Sequence, residues 1–165
     1  VCSSDLIHIG NSNSEIVSIM AKDGIGGTFG AFRLASVASF HQLVTTSLPK
    51  KFPKLRWGFI EASSMWIPYV IHDLRRRLET RGRELEADVL DAYNIWVTLQ
   101  TDDDIPTVMR YANPNHLMIG TDYGHQDQSS EVEAMRNLRS QGGLDAAIAD
   151  RILGPNAADF YGISI

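Results

Sequence analysis

The stretch from His116 to His125 begins as an apolar run, breaks at Gly120 and then presents Thr121, Asp122 and His125 in quick succession. A buried parallel strand has a continuous apolar sequence. The catalytic groups of a β/α barrel lie where such a strand ends and its loop begins. Asp122 is therefore a candidate for chemistry. The alternative, equally good on this stretch alone, is that Asp122 caps the next helix.

Other polar residues follow apolar runs in the same way. His8 closes the first run, Glu61 follows the second, and Thr98 or Gln100 ends the third. A carboxylate in the position of Glu61 is costly to bury unless it is paired or bound to a metal. For His8, the alternative to metal binding is a histidine whose hydrogen bonds are satisfied within the core.

Strands and helices alternate along the chain, and these elements must position the candidate site residues. Strands are predicted over 6–10, 55–62, 94–100 and 116–121. Helices are predicted over 29–48, 65–81, 84–92, 105–111, 131–139 and 144–153, with a short turn at 16–21 inside a long loop and a terminal turn at 157–161. This alternation predicts βαβ units, a parallel sheet and right-handed crossovers. Four units are half of an eightfold barrel; an open four-stranded sheet is disfavoured because no glycine-rich phosphate loop follows the first strand.

Local signals also predict how two of the helices begin. Ser63 and Ser64 precede the helix over 65–81 and are predicted to cap it. The carboxylates of residues 102–104 precede the helix over 105–111, where they suit the positive end of its dipole.

Composition limits the classes of partner. The 165-residue chain suits one domain with a sizeable core, and its net charge of −5, with no basic stripe, argues against nucleic acid. The arginines within 75–83 alternate with glutamates, which predicts a solvated helix face. No apolar run is long enough to cross a bilayer, so we expect no membrane partner. The single cysteine, Cys2, fits a reducing compartment, and we expect a cytoplasmic location.

The first six residues have no initiator methionine and do not resemble a strand. We interpret residues 1–6 as a non-native segment derived from a sequencing adaptor and leave them out of fold reasoning. We expect the natural sequence to begin near Ile7, with an upstream part of the gene missing. Residues 7–165 then form a partial barrel domain.

Four motifs, taken in order and spacing, carry a resemblance to a known family. They are IHIG at 7–10, FPKLR at 52–56, IGTDY at 119–123 followed by His125, and NAADFYG at 156–162. From residue 7 onward the chain resembles the C-terminal half of the amidohydrolase-related metal-dependent hydrolases. This group contains aminocarboxymuconate-semialdehyde decarboxylase and the aromatic-acid decarboxylases.

The resemblance implies a (β/α)8 TIM barrel with one divalent metal, usually zinc, at the C-terminal ends of its strands. By position, His8 matches a metal-binding histidine of strand five, and Asp122 matches the aspartate of strand eight, which binds the metal or takes the proton from its water. Imidazole and carboxylate are natural zinc ligands. Bound zinc lowers the pKa of its water to about 7 or polarises a substrate oxygen. The implied activity is that of a hydrolase or decarboxylase acting on a small, planar, carboxylate-bearing molecule.

Two departures from the family pattern stand out. Glu61 occupies the place where many members carry a histidine, and it could hold substrate, orient a ligand or be structural. The family's first-strand pair of metal ligands has no counterpart and would lie in the missing half. Trp66, Tyr123 and His125 are expected to line the substrate pocket, with helix packing as the alternative for Trp66. The remaining histidines are interpreted as structural: His41, His72 and His116.

The alternative function is that of a non-catalytic interaction protein, a barrel that keeps its fold but has lost the metal site. The expected partner is a small-molecule substrate. As a half barrel, the isolated chain leaves the edges of its first and fourth strands open, which invites pairing with another copy, so we also expect self-association.

Overall fold

The structure is a computed structural model that describes residues 4–8, 10, 14–20, 29–46, 48–100, 102–122, 124, 133–140 and 144–164. Its centre is a four-stranded sheet formed by β1 (Ser4–His8), β2 (Arg56–Ile60), β3 (Ile95–Leu99) and β4 (Leu117–Ile119). The strands lie in chain order, and each neighbouring pair is parallel. The predicted α/β class with four parallel strands is confirmed.

Helices connect the strands. Before β2 come α1 (Ser14–Met20), a π-helical turn (Gly30–Leu34) that continues into α2 (Ala35–Thr45), and α3 (Leu48–Lys51). Between β2 and β4 lie α4 (Ile67–Glu79), α5 (Val89–Ala92), α6 (Ile105–Val108) and a 3₁₀ turn (Pro114–His116). After β4 come α7 (Ala134–Ser140), α8 (Ala146–Leu153) and α9 (Pro155–Tyr161).

Several boundaries differ from the predicted ones. The strand β1 begins at Ser4, inside the segment 1–6 that was not predicted as a strand, because its residues pair in register with β2 from Arg56 onward. The helix predicted over 84–92 is restricted to α5, because the extended backbone and capping side chain of Asp88 start it there. The predicted break before the terminal turn is present at Gly154, whose backbone is not helical, but α9 begins at Pro155 and not at residue 157, because proline is tolerated in the first turn of a helix. The origin of residues 1–6 stays a prediction.

The main core lies between the sheet and the helices on one of its faces. Alternate strand residues such as Phe59 and Val97 point into it and are fully buried. Phe40 of α2, Phe59 and Trp66 form an aromatic cluster whose ring centroids are 5.1 to 5.7 Å apart. This packing fixes α2 and the start of α4 against the centre of the sheet.

The other face of the sheet carries a smaller cluster of Trp96, Met118 and Phe160. Phe160 reaches this face from α9 and lies over Gly58, so closely that a Cβ on Gly58 would stand 2.5 Å from its ring. Asn156, also from α9, is fully buried and donates from Nδ2 to the carbonyl oxygens of Pro114 and Leu117 at 2.8 and 2.7 Å. The terminal helix is thereby held beside the start of β4.

Within the described ranges, no helix combines the length and the apolar character needed to cross a membrane.

Candidate functional site

Polar residues gather where three of the parallel strands end. His8 is the last residue of β1, Glu61 directly follows β2, and Asp122 lies three residues after β4. Because parallel strands present their carboxyl ends at the same edge of a sheet, these side chains share one end of the molecule. A pocket of about 100 Å³ opens there, and its lining residues are Ile60, Glu61, Thr98, Leu99, Gln100, Gly120 and Asp122.

His8 and Glu61 form a direct contact at this end. The His8 Nε2 atom lies 2.5 Å from Oε2 of Glu61, and the two side chains are 57% and 21% exposed. On the other side of the ring, Nδ1 accepts a hydrogen bond of 3.0 Å from the backbone N–H of Gly10. A nitrogen that accepts carries no proton, so this arrangement fits the neutral imidazole with its proton on Nε2, donated to Glu61. Both ring nitrogens are therefore engaged within the protein.

The backbone of Glu61 is fixed by the neighbouring strand. Its φ is +62°, in the left-handed region that few residues other than glycine adopt. Its N–H donates to Oγ1 of Thr98 over 2.8 Å, and the Thr98 hydroxyl lies 3.3 Å from the Phe59 carbonyl oxygen, to which it donates. The buried Thr98 thus holds the turn after β2 in place and aims the side chain of Glu61 at the pocket.

Asp122 reaches the same pocket from β4. It also has a left-handed backbone, with φ of +47°, and it is half-buried. Gly120 lies beside Thr98, close enough that a Cβ there would be 3.4 Å from Thr98 Cβ. This close approach of β4 to β3 brings Asp122 and Glu61 onto the walls of one pocket.

A buried hydrogen-bond network, not predicted from the sequence, lies behind the pocket. The predicted capping role of Ser63 and Ser64 was wrong, because α4 begins at Ile67 without a side-chain cap, and both hydroxyls donate to Asp103, at 2.5 Å to Oδ1 and 2.7 Å to Oδ2. Oδ2 also accepts the backbone N–H groups of Ser64 and Gln100, each at 2.9 Å. Asp103 is 6% exposed and joins the loop after β2 to the loop after β3. It is a buried acceptor and does not serve the helix dipole.

Only Asp104 of the predicted acidic group caps α6 by its side chain. Its carboxylate accepts the N–H of Thr107 at 3.1 Å and the Thr107 hydroxyl at 2.7 Å. These hydrogen bonds hold the pKa of Asp104 below its ordinary value. A serine pair directly before a helix has the local sequence pattern of a helix cap. Nothing in the neighbouring sequence indicates that the serine hydroxyls bind an aspartate about forty residues later.

The other predicted site residues divide into two groups. Trp66 lies in the aromatic cluster of the main core, and its Nε1 donates to the carbonyl oxygens of Ala62 and Ser63 at 3.0 and 2.8 Å. It lies outside the pocket lining, in the packing role named as its alternative. Tyr123 and His125 fall outside the described residues. His116, interpreted as structural, is buried, bonds the Ile95 carbonyl oxygen through Nδ1 at 2.9 Å and stacks on Trp96.

The donor set can be tested against the metal that the resemblance implies. A zinc site uses three or four protein ligands. Among the described residues, no group of three or more His, Cys, Asp or Glu side chains is placed to hold a metal ion. In addition, His8 and Glu61 are engaged with each other, at a separation too short for an ion between them. The described part of the chain therefore does not form a complete metal site.

Comparisons with known proteins place the fold. No protein-family model and no curated protein matches the sequence. Among solved structures, an amidohydrolase from Mycobacterium avium subsp. paratuberculosis matches with a TM-score of 0.67 at 21% identity, over 98% of this chain and 42% of that one. The 5-carboxyvanillate decarboxylase of Sphingomonas paucimobilis matches with a TM-score of 0.67 at 18% identity, over 96% of this chain and 49% of that one.

A second 5-carboxyvanillate decarboxylase, from Novosphingobium aromaticivorans, matches with a TM-score of 0.70 at 15% identity, over 96% of this chain and 47% of that one. That structure is a complex with manganese and 4-hydroxy-3-methoxy-5-nitrobenzoic acid. The chain thus spans about half the length of the solved structures it matches. These likenesses confirm the predicted fold, four parallel β/α units that form part of a (β/α)8 barrel.

Proposed function

We propose that this chain is part of a metal-dependent hydrolase or decarboxylase of the amidohydrolase superfamily that acts on a small carboxylate-bearing molecule. The observation that carries the proposal is the placement of His8, Glu61 and Asp122 at the C-terminal ends of three parallel strands, with Glu61 and Asp122 lining one pocket and His8 in contact with Glu61. The barrel fold supports it, because enzymes with this fold build their active sites at that end. The likeness to an amidohydrolase and to two 5-carboxyvanillate decarboxylases supports it as well.

In this proposal, the side chains of the pocket bind and orient substrate and move protons. Asp122 is the catalytic carboxylate. The pair formed by His8 and Glu61 can pass a proton between Nε2 and the carboxylate, because the two atoms already lie within hydrogen-bond distance. A divalent metal, zinc or manganese, would require donors beyond the described residues in addition to His8 and Asp122. Glu61 would then have to release His8, because its carboxylate contacts Nε2 while Nδ1 accepts the N–H of Gly10.

The second candidate, a barrel-derived binding protein without a metal site, is favoured by one observation. Both nitrogens of His8 are engaged within the protein, and the described residues offer no set of three ligands. The two candidates differ in whether metal binding needs His8 and Asp122 together.

The experiment that tests the proposal compares two aspartates in the intact protein that contains this chain. With zinc or manganese supplied, Asp122→Asn should lose turnover of aromatic carboxylic acids by about 100-fold or more, the loss that follows removal of a proton-transfer group. Asp102→Asn alters an exposed aspartate in the loop after β3 and serves as the matched control. Metal content is measured beside turnover, with circular dichroism to show that both variants fold. Unchanged turnover in Asp122→Asn, or metal content unaffected by both His8→Asn and Asp122→Asn, would overturn the assignment.

Two further expectations belong to this proposal. The open edges of β1 and β4 support association with further copies of the chain. With at most one cysteine, the chain can form no internal disulfide, which supports a reducing, cytoplasmic location.

A further inference from the structure

Arg33 lies beside the pocket wall although it is distant in sequence from the residues that line it. It belongs to the π-helical turn over Gly30–Leu34, and its guanidinium reaches the end of β3. Its Nη2 lies 3.5 Å from Oε1 of Gln100, a residue of the pocket lining, and its Nη1 donates to the Phe32 carbonyl oxygen at 3.2 Å. Both acceptors are neutral oxygens. Within the described residues, Arg33 forms no ion pair.

The contact with Arg33 decides which way the Gln100 amide points. A guanidinium can only donate hydrogen bonds, so the amide oxygen must face it. The amide nitrogen, Nε2, is then turned away from Arg33, and no described residue accepts a hydrogen bond from it. The backbone of Gln100 is held independently, because its N–H donates to the buried Asp103 carboxylate at 2.9 Å. Gln100, a residue of the pocket lining, therefore keeps its amide nitrogen as a donor while its amide oxygen contacts the Arg33 guanidinium.

The charges around the pocket indicate which kind of ligand group this donor could bind. The ionisable side chains of the pocket lining are those of Glu61 and Asp122, and both are carboxylates that repel an anion. The Arg33 guanidinium contacts Gln100, a residue of the pocket lining. A planar molecule with one carboxylate would place that group toward Gln100 and Arg33, and its uncharged part toward Glu61 and Asp122.

We propose that Gln100 and Arg33 form the carboxylate-recognition arm of this pocket, with Gln100 Nε2 donating to the bound carboxylate and Arg33 supplying the positive charge. The ligand class is a small planar carboxylic acid in its anionic form. This inference rests on the proposed function for the identity of the pocket as a substrate site. Neither residue is a candidate metal ligand or proton-transfer group in that function.

The test measures binding without metal and without turnover, so that its result is separate from that of the catalytic proposal. The intact protein that contains this chain is titrated in EDTA-containing buffer at neutral pH with 4-hydroxybenzoate and, separately, with 4-hydroxybenzamide, and binding is followed by nuclear magnetic resonance of the ligand. The two probes have nearly the same shape and differ in the charge of one group. The unaltered chain should bind the carboxylate at least tenfold more tightly than the amide.

Two variants and one control locate the effect. Arg33→Gln should weaken 4-hydroxybenzoate binding by roughly tenfold, because it removes a nearby positive charge that does not itself donate to the ligand, and it should leave 4-hydroxybenzamide binding unchanged. Gln100→Glu keeps its contact with Arg33 but presents a carboxylate, and it should abolish the preference for the anion. Arg81→Gln removes an exposed arginine elsewhere on the surface and should change neither affinity.

Three results would overturn the inference. They are equal binding of the two probes by the unaltered chain, absence of 4-hydroxybenzoate binding, and full retention of that binding in Arg33→Gln. Each leaves the metal and turnover test of Asp122 unaffected.

Discussion

The buried carboxylate of Asp103 offers the sharpest test of how this pocket is held together. It accepts four hydrogen bonds, two from backbone N–H groups and two from serine hydroxyls, and it is 6% exposed. Asp103→Ala removes all four acceptor contacts at once. The hydroxyls of Ser63 and Ser64 can turn to other partners, but the N–H groups of Ser64 and Gln100 have fixed directions.

Each buried donor left without a partner costs about 1–3 kcal/mol. With two fixed donors, and a smaller loss at the hydroxyls, Asp103→Ala should lower the free energy of unfolding by roughly 3–5 kcal/mol. Asp103→Asn should cost less, about 1–2 kcal/mol. Its oxygen can replace Oδ2, which accepts three of the four bonds, and its amide nitrogen can donate to the Ser63 hydroxyl.

The assay is urea unfolding followed by tryptophan fluorescence, for which the buried Trp57, Trp66 and Trp96 serve as reporters. Asp102→Ala, at the exposed neighbouring position, is the control and should stay within about 0.5 kcal/mol of the unaltered chain. If Asp103→Ala and Asp102→Ala destabilise the fold equally, or if Asp103→Asn is as damaging as Asp103→Ala, then the hydrogen bonds to Asp103 do not stabilise the fold in the way described.

Two further predictions concern the packing and the edges of the sheet. Gly58→Ala should destabilise the fold by about 1–3 kcal/mol, because its methyl group would stand 2.5 Å from the ring of Phe160, and adding Phe160→Leu should recover part of that loss in the same urea assay. Sedimentation should show self-association of the isolated chain through the edges of β1 and β4, weakened by Leu6→Lys on the exposed part of β1, whereas a compact and stable monomer would contradict the role of open edges.

The parallel sheet was predictable because its signals are local and repeated. Each strand is a short apolar run, and each run is followed by a helix. Because strands connected through a helix pair in parallel, this alternation predicts the parallel sheet. The position of His8, Glu61 and Asp122 at one end follows from the same rule. That His8 would contact Glu61 directly does not follow, because it depends on how the loops after β1 and β2 turn.

Long-range contacts account for the misjudged residues. Ser63 and Ser64 have the local appearance of helix caps, but the buried Asp103, about forty residues away, offers their hydroxyls a charged acceptor out of water. Hydrogen bonds to a buried charge are stronger than an exposed cap, so the distant contact prevails. Trp66 is similar, because its ring packs on Phe40 and Phe59, and neither contact can be deduced from neighbours in sequence.

The left-handed backbones of Glu61 and Asp122 bear on how this chain could be redesigned. A residue with a side chain in that conformation costs about 1–2 kcal/mol, which glycine avoids. A procedure that selects sequences for thermal stability alone would therefore favour glycine at both positions and erase the two carboxylates of the pocket. At the carboxyl ends of the strands, the sequence that is best for stability differs from the sequence that supplies the pocket carboxylates. Stabilising substitutions are therefore best confined to the opposite ends of the strands.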